Sequence, residues 1–83
     1  MQSKSTVTQL KEAIEMNREI EFIYDNKTYG IVNHQEGWCL VNEKENLSDY
    51  YEENTHLIEN EEIEGYKIIE LFYNSLVKIE GIF

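Results

Sequence analysis

Residues 19–42, EIEFIYDNKTYGIVNHQEGWCLVN, decide the fold. The opening six alternate, with Ile20, Phe22 and Tyr24 on one side and Glu19, Glu21 and Ile23 on the other, the period-two pattern of a strand with one buried face. Asp25, Asn26 and Lys27 then supply turn chemistry, because Asp and Asn tolerate the left-handed backbone that a tight hairpin demands. Residues 28–34 resume an extended pattern, Gln35, Glu36 and Gly37 give a second turn, and residues 38–42 make a short third strand. The spacing predicts a three-stranded antiparallel meander.

On the N-terminal side, Thr6 and Gln9 fit a capping box, in which a hydroxyl and a glutamine side chain satisfy free amides at a helix start. Val7, Leu10, Ala13, Ile14 and Met16 or Asn17 follow at three-to-four spacing opposite Lys11, Glu12, Glu15 and Arg18, which predicts one amphipathic helix of about three turns. On the C-terminal side, residues 43–46 read as a solvated turn. Ser48 or Asp49 fits the cap of a short helix entered through 49–52, turning Tyr50 or Tyr51, Asn54, Leu57 and Ile58 inward. Asn60 is a stop, Ile63 an anchor and Gly65 a break. A further helix is expected over 66–74, with Ile68, Ile69, Phe72 and Leu76 on its inner side. Residues 77–83 alternate like an edge strand, Val77 and Ile79 sharing a face.

The expectation is a single α+β domain over residues 1–83: an N-terminal helix, a three-stranded antiparallel meander, two short C-terminal helices and a C-terminal edge strand that extends the sheet. One core is expected, with Ile20, Phe22, Tyr24, Ile31, Trp38 and Leu40 packed on Leu10, Ile14, Phe72 and Leu76.

Composition narrows the function. A chain of 83 residues has room for one domain. Its hydrophobic share of 41%, with ten isoleucines and six tyrosines, suits a folded core rather than a disordered tail. Seventeen acidic residues against seven basic ones give a net charge of -10, which repels nucleic-acid phosphates and anionic membranes and argues against binding either directly. No apolar run approaches a membrane span and no apolar leader follows the start, so a cytoplasmic location is expected. The single cysteine, Cys39, rules out an internal disulfide.

Catalytic and cofactor chemistry find little support. His34, His56 and Cys39 are scattered, with no ligand pair of the kind that presents two metal donors from one turn. Cys39 between Trp38 and Leu40 suits a small buried hydrophobe. Gly30, Gly37, Gly65 and Gly81 do not cluster into a phosphate-cradling loop. The pairs Glu52, Glu53 and Glu61, Glu62 lie in a run that reads as solvated, whereas acid–base catalysis needs environments that push two pKa values apart. The expectation is a non-enzyme without metal, nucleotide or redox cofactor.

The charge itself is unevenly placed. Between Glu43 and Glu64 stand nine acids against Lys44 alone, a local net of -8. Within DYYEENTHLIENEEIEGY, residues 49–66, Asp49, Glu52, Glu53, Glu59, Glu61, Glu62 and Glu64 are interleaved with Tyr50, Tyr51 and Tyr66, and no lysine or arginine opposes them. A clustered field speeds association with a basic surface, and tyrosines suit an interface by pairing apolar area with a polar tip. Helix residues rise about 1.5 Å each and duplex DNA carries a charge about every 1.7 Å, so an acidic helix and loop could imitate a phosphate track. These ten residues are the candidate partner-binding site. The competing explanation is a solvated face that serves solubility.

The segments LKEAIEMNREIEFIYDNKTYGIV at 10–32, GWCLVNE at 37–43 and IEGYKIIELF at 63–72 resemble a group of small acidic proteins from phages, prophages and mobile elements of Gram-positive bacteria. The resemblance covers roughly residues 10–76 and implies the same order of helix, strand pair, Gly-Trp strand and helix. It also implies a non-enzymatic inhibitor in the bacterial cytoplasm, such as the anti-CRISPR proteins that occupy the DNA-binding groove of a Cas nuclease. The alternative is a small cytosolic adaptor or structural module that forms a homodimer or docks a protein partner through its sheet.

Overall fold

The computed structural model of the chain describes residues 5–43 and 45–83. The turn expected at 43–46 therefore lies partly outside the described residues, at Lys44.

The hairpin forms where the sequence places it. Asp25 and Asn26 both take left-handed backbone, φ 51° and 61°, and join β1 (Ile20–Tyr24) to β2 (Lys27–His34) in the two-residue loop whose twist matches that of the strands. Across Gln35 and Glu36 the chain enters β3 (Gly37–Asn42). The register sets Ile20 beside Ile31, Ile31 beside Leu40, and Phe22 beside Tyr29, so one face of the meander is continuously apolar. The fourth strand, β6 (Lys78–Ile82), runs antiparallel to β1 and completes a sheet of order β3-β2-β1-β6. Glu21 opposes Gly81 while Phe22 opposes Ile79, which leaves Glu80 as an extra residue in a bulge on this edge strand.

The helix α1 (Thr6–Glu15) starts one residue earlier than the Thr6–Gln9 pattern implies. Ser5 is the N-cap and its hydroxyl accepts from the Thr8 amide at 3.2 Å. The Thr6 hydroxyl instead donates to the Phe72 carbonyl at 2.8 Å, tying α1 to the C-terminal part of the chain. Asn17, at φ 56°, ends the helix, with Asn17 N–H donating to the Ile14 carbonyl and Arg18 N–H to that of Ala13. Because the chain leaves the helix there, Met16 is 64% exposed rather than part of the inner face.

The second half holds α2 (Asn54–Asn60), a small hairpin of β4 (Glu62–Ile63) and β5 (Tyr66–Lys67), and α3 (Ile68–Tyr73). The helix expected through 49–52 begins at Asn54 instead, and the helix expected over 66–74 begins at Ile68 after a two-residue strand. Asn60 does end α2, and Gly65, with φ 88°, breaks the chain in the turn between β4 and β5. The end of α3 repeats the ending of α1: Ser75 has φ 56°, Leu76 N–H donates to the Leu71 carbonyl, and Leu76 is turned out, 52% exposed. Leu71 takes the buried place that helical spacing assigned to Leu76.

All three helices pack on the apolar face, α2 beside β3 and α1 beside β6. Phe22 and Phe72 meet edge to face at 4.9 Å between ring centres, and Phe22 stacks on Tyr29 at 5.7 Å. Leu10, Phe22, Ile31, Leu57, Ile68, Leu71 and Phe72 are fully buried, each such side chain stabilising the fold by roughly 1.5–3 kcal/mol. Tyr24, expected in the core, is only partly buried against its rim. Among the described residues no helix is long and apolar enough to cross a membrane.

Candidate functional site: the acidic segment on the sheet edge

The chain between β3 and α2 is irregular, yet within residues 45–51 it is hydrogen-bonded at intervals to the free edge of β3. Trp38 N–H donates to the Tyr51 carbonyl at 2.7 Å, and Tyr51 N–H returns to that of Trp38 at 2.8 Å. Two residues on, Leu40 N–H donates to the Ser48 hydroxyl at 2.9 Å, while Leu47 N–H donates to the Leu40 carbonyl at 2.7 Å. Asn42 N–H closes the series on the Glu45 carbonyl at 3.0 Å. Ser48 therefore caps the sheet edge rather than a helix, its hydroxyl also donating to the Asp49 carbonyl at 2.8 Å. Every outward amide of β3 finds an acceptor in this segment, which removes that edge as a template for another chain.

Gly37 makes the close approach feasible. It has φ 139°, and a Cβ there would stand 2.7 Å from the Tyr51 carbonyl oxygen. The Cys39 thiol is buried beneath the same segment, 3.4 Å from the Ser48 carbonyl.

Side chains fasten the segment at a second level. The Tyr51 hydroxyl donates to Glu61 Oε1 at 2.7 Å, linking the strand edge to the residue that ends α2. That hydrogen bond first, then burial, then the negative charges of Glu61 and Asp49 push the Tyr51 phenol from 10.0 up to about 12. Buried Asn54, at the start of α2, donates to the Ile14 carbonyl at 3.0 Å and fixes α2 to α1. Tyr50 is held loosely, its oxygen accepting from Asn46 Nδ2 at 3.0 Å and its ring set edge to face with His34 at 6.1 Å.

The ten candidate residues thus divide by position. Asp49, Tyr50, Glu52 and Glu53 stand exposed on the edge segment, Glu59 on α2, and Glu62, Glu64 and Tyr66 on the β4–β5 hairpin. Tyr51 and Glu61 are partly buried and spend their polar atoms on each other. Glu64 and Tyr66 approach the end of β1, where burial first, and then Glu64, Asp25, Tyr66 and Tyr29, raise the Tyr24 phenol. Among the described residues His56 Nε2 stands 3.6 Å from Glu53 Oε2, both side chains well exposed, a contact that contributes little. Lys67 is paired with Glu62 in backbone register.

In the expected acidic helix and loop, the helix carries little of the charge. Of the seven carboxylates only Glu59 lies within a helix; the others occupy the edge segment, the helix cap and a hairpin turn, so helical rise does not set their spacing. No grouping of three or more potential metal ligands occurs among the described residues. What sequence reasoning missed is the anchoring by Trp38, Ser48 and Gly37, for which a Gly opening a strand was the available signal. Comparison of the chain with protein-family models, with curated proteins and with solved structures finds no match, and the geometry of the β3 edge is what carries the functional argument.

Proposed function

We propose that the protein is a non-enzymatic inhibitor, encoded by a phage or mobile element, whose acidic segment binds the basic nucleic-acid-binding surface of a bacterial host protein. A Cas nuclease is the natural example, following the resemblance to small acidic phage and prophage proteins. The observation that carries the proposal is the edge bonding of residues 45–51. It fixes the backbone around exposed Asp49 and leads straight from Tyr51 into exposed Glu52 and Glu53 at the start of α2. Fixed charges lose less conformational entropy on binding than charges on a free loop, and a local excess of acid steers encounter with a basic groove.

Docking through the sheet edges, whether to a copy or to another protein, is disfavoured. The β3 edge is filled by the chain itself, and the β6 edge carries Lys78 and the Glu80 bulge, two features that discourage strand addition.

Competition tests the proposal. Labelled duplex DNA bound to a guide-loaded Cas nuclease should be displaced by the protein, more weakly as salt rises, while the protein alone shows no affinity for the DNA. Displacement insensitive to salt, or undiminished after carboxylates in 49–64 are reversed to lysine, contradicts it.

A further inference from the structure

The helices cover the sheet face that bears Ile20, Phe22, Ile31 and Leu40; on the opposite face the segment around Ser48 buries Cys39 of β3, and the part over β1, β2 and Val41 carries no helix. Its residues alternate in register with the core: Glu21 and Ile23 on β1, Thr28, Gly30 and Val32 on β2, and Val41 on β3. At its centre lies a groove of about 220 Å³. Gly30 forms the floor, and the side chains of Val32 and Val41 close over the position where its Cβ would stand. One wall is the Phe83 ring, folded back so tightly that a Cβ on Gly81 would lie 2.6 Å from it, and Phe83 is nonetheless 70% exposed.

Among the described residues, every charged one lining this groove is a glutamate: Glu19, Glu21 and Glu43. Glu19 accepts from the Asn33 amide at 2.8 Å, which fixes its carboxylate on this face, and Glu21 and Glu43 are exposed. An exposed aromatic ring and two valines inside an acidic rim match a cationic side chain with an aliphatic stem. The carboxylates attract the charge, the ring face receives it, and the valines pack the methylenes. A second copy fits poorly, since two such rims on chains of net charge -10 would oppose each other.

We propose that the open sheet face docks an extended basic segment of a partner protein, seating a lysine or arginine side chain between Glu21, Glu43 and the Phe83 ring. With one sheet edge filled and the other bulged, the segment lies across the face rather than joining the sheet as a strand. This surface is separate from residues 49–64, and the proposal does not depend on their function.

Titrating isotope-labelled protein with a heptapeptide of alternating arginine and valine, followed by amide chemical shifts, tests it. The shifts should gather at Gly30, Val32, Val41 and Phe83. Phe83→Ala should weaken binding about fivefold, the loss expected for an exposed cation–π contact. Glu21→Lys combined with Glu43→Lys should abolish binding, and a glutamate–valine heptapeptide should leave the spectrum unchanged. All three positions are exposed, so these variants should keep the fold. The proposal is overturned if the arginine–valine peptide does not bind, or if Phe83→Ala binds it as tightly. It is also overturned if shifts at this face follow protein concentration alone, which would mark a second copy. Shifts confined to residues 49–64 would overturn it while favouring the acidic-segment proposal. Phe83-dependent peptide binding alongside salt-insensitive DNA displacement would sink only the latter.

Discussion

Trp38 and Tyr51 exchange both of their backbone hydrogen bonds, at 2.7 and 2.8 Å, across a junction between a regular strand and a segment with no regular structure of its own. That exchange converts residues 45–51 from a loop into a covering for the β3 edge. Exposed Asp49 is thereby carried on a bonded stretch of backbone, and Glu52 and Glu53 follow directly from its last bonded residue, Tyr51. The sheet supplies the order, and the acidic segment supplies the charge.

Gly37→Ala should break this covering. The new Cβ would meet the Tyr51 carbonyl oxygen at 2.7 Å on a backbone of φ 139°, and a loss of about 1–3 kcal/mol in a urea denaturation series is expected. Hydrogen exchange should accelerate at Trp38, Leu40 and Tyr51. Gly65→Ala is the control, since φ 88° strains the backbone but nothing lies within 4 Å of its Cβ. It should cost about 1–2 kcal/mol and leave exchange at Trp38 unchanged. Equal exchange in the two variants would mean that the edge bonds do not hold the segment.

Tyr51→Phe removes the hydroxyl that binds Glu61 and should destabilise by about 1 kcal/mol at neutral pH. The pH dependence follows from a phenol raised in the folded state from 10.0 to about 12. The folded state holds its proton more tightly than the unfolded chain, so the stabilisation is complete below the unfolded value and fades as pH rises through the folded one. Denaturation curves for the two proteins should differ by a constant amount below about pH 10 and converge towards about pH 12. A gap that widens with rising pH would contradict the Tyr51–Glu61 bond.

Phe22→Ala should cost about 3–5 kcal/mol, because the ring is fully buried between Tyr29 and Phe72 and its removal leaves a cavity. Leu76→Ala should change stability by less than about 0.5 kcal/mol, since Leu76 is 52% exposed beyond the end of α3. Comparable losses for the two, measured by thermal or urea unfolding, would place Leu76 back in the core.

The contrast between Phe22 and Leu76 shows what the sequence makes legible. Alternation from Ile20 to Tyr24 and the Asp25-Asn26 turn are local signals that give the hairpin and meander, and the alternation of residues 77–83 is the local signal for the added C-terminal strand. Helical spacing overruns the helix ends, because a left-handed residue, Asn17 or Ser75, turns the chain out of the helix and leaves Met16 and Leu76 exposed. Ser48 looked like a helix cap because its hydroxyl seeks an amide. The amide it binds belongs to Leu40, a partner distant enough that only the β3 edge defines it. The acids were conspicuous in the sequence, but their division into exposed carboxylates and the inward Tyr51–Glu61 pair depends on tertiary contacts that no local pattern encodes.

The most direct test of the account compares two charge-matched variants in displacement of labelled DNA from a guide-loaded Cas nuclease. One reverses Glu52, Glu59 and Glu62 to lysine; the other reverses Glu15, Glu36 and Glu80, which are also exposed but lie outside the segment. Net charge is the same in both, so any difference reports position. The account predicts that the first variant loses displacement at physiological salt while the second keeps most of it, with both retaining the cooperative melt of the parent protein. Equal weakening of the two, or full displacement by the first, would contradict it and leave the acidic segment as a solvated face.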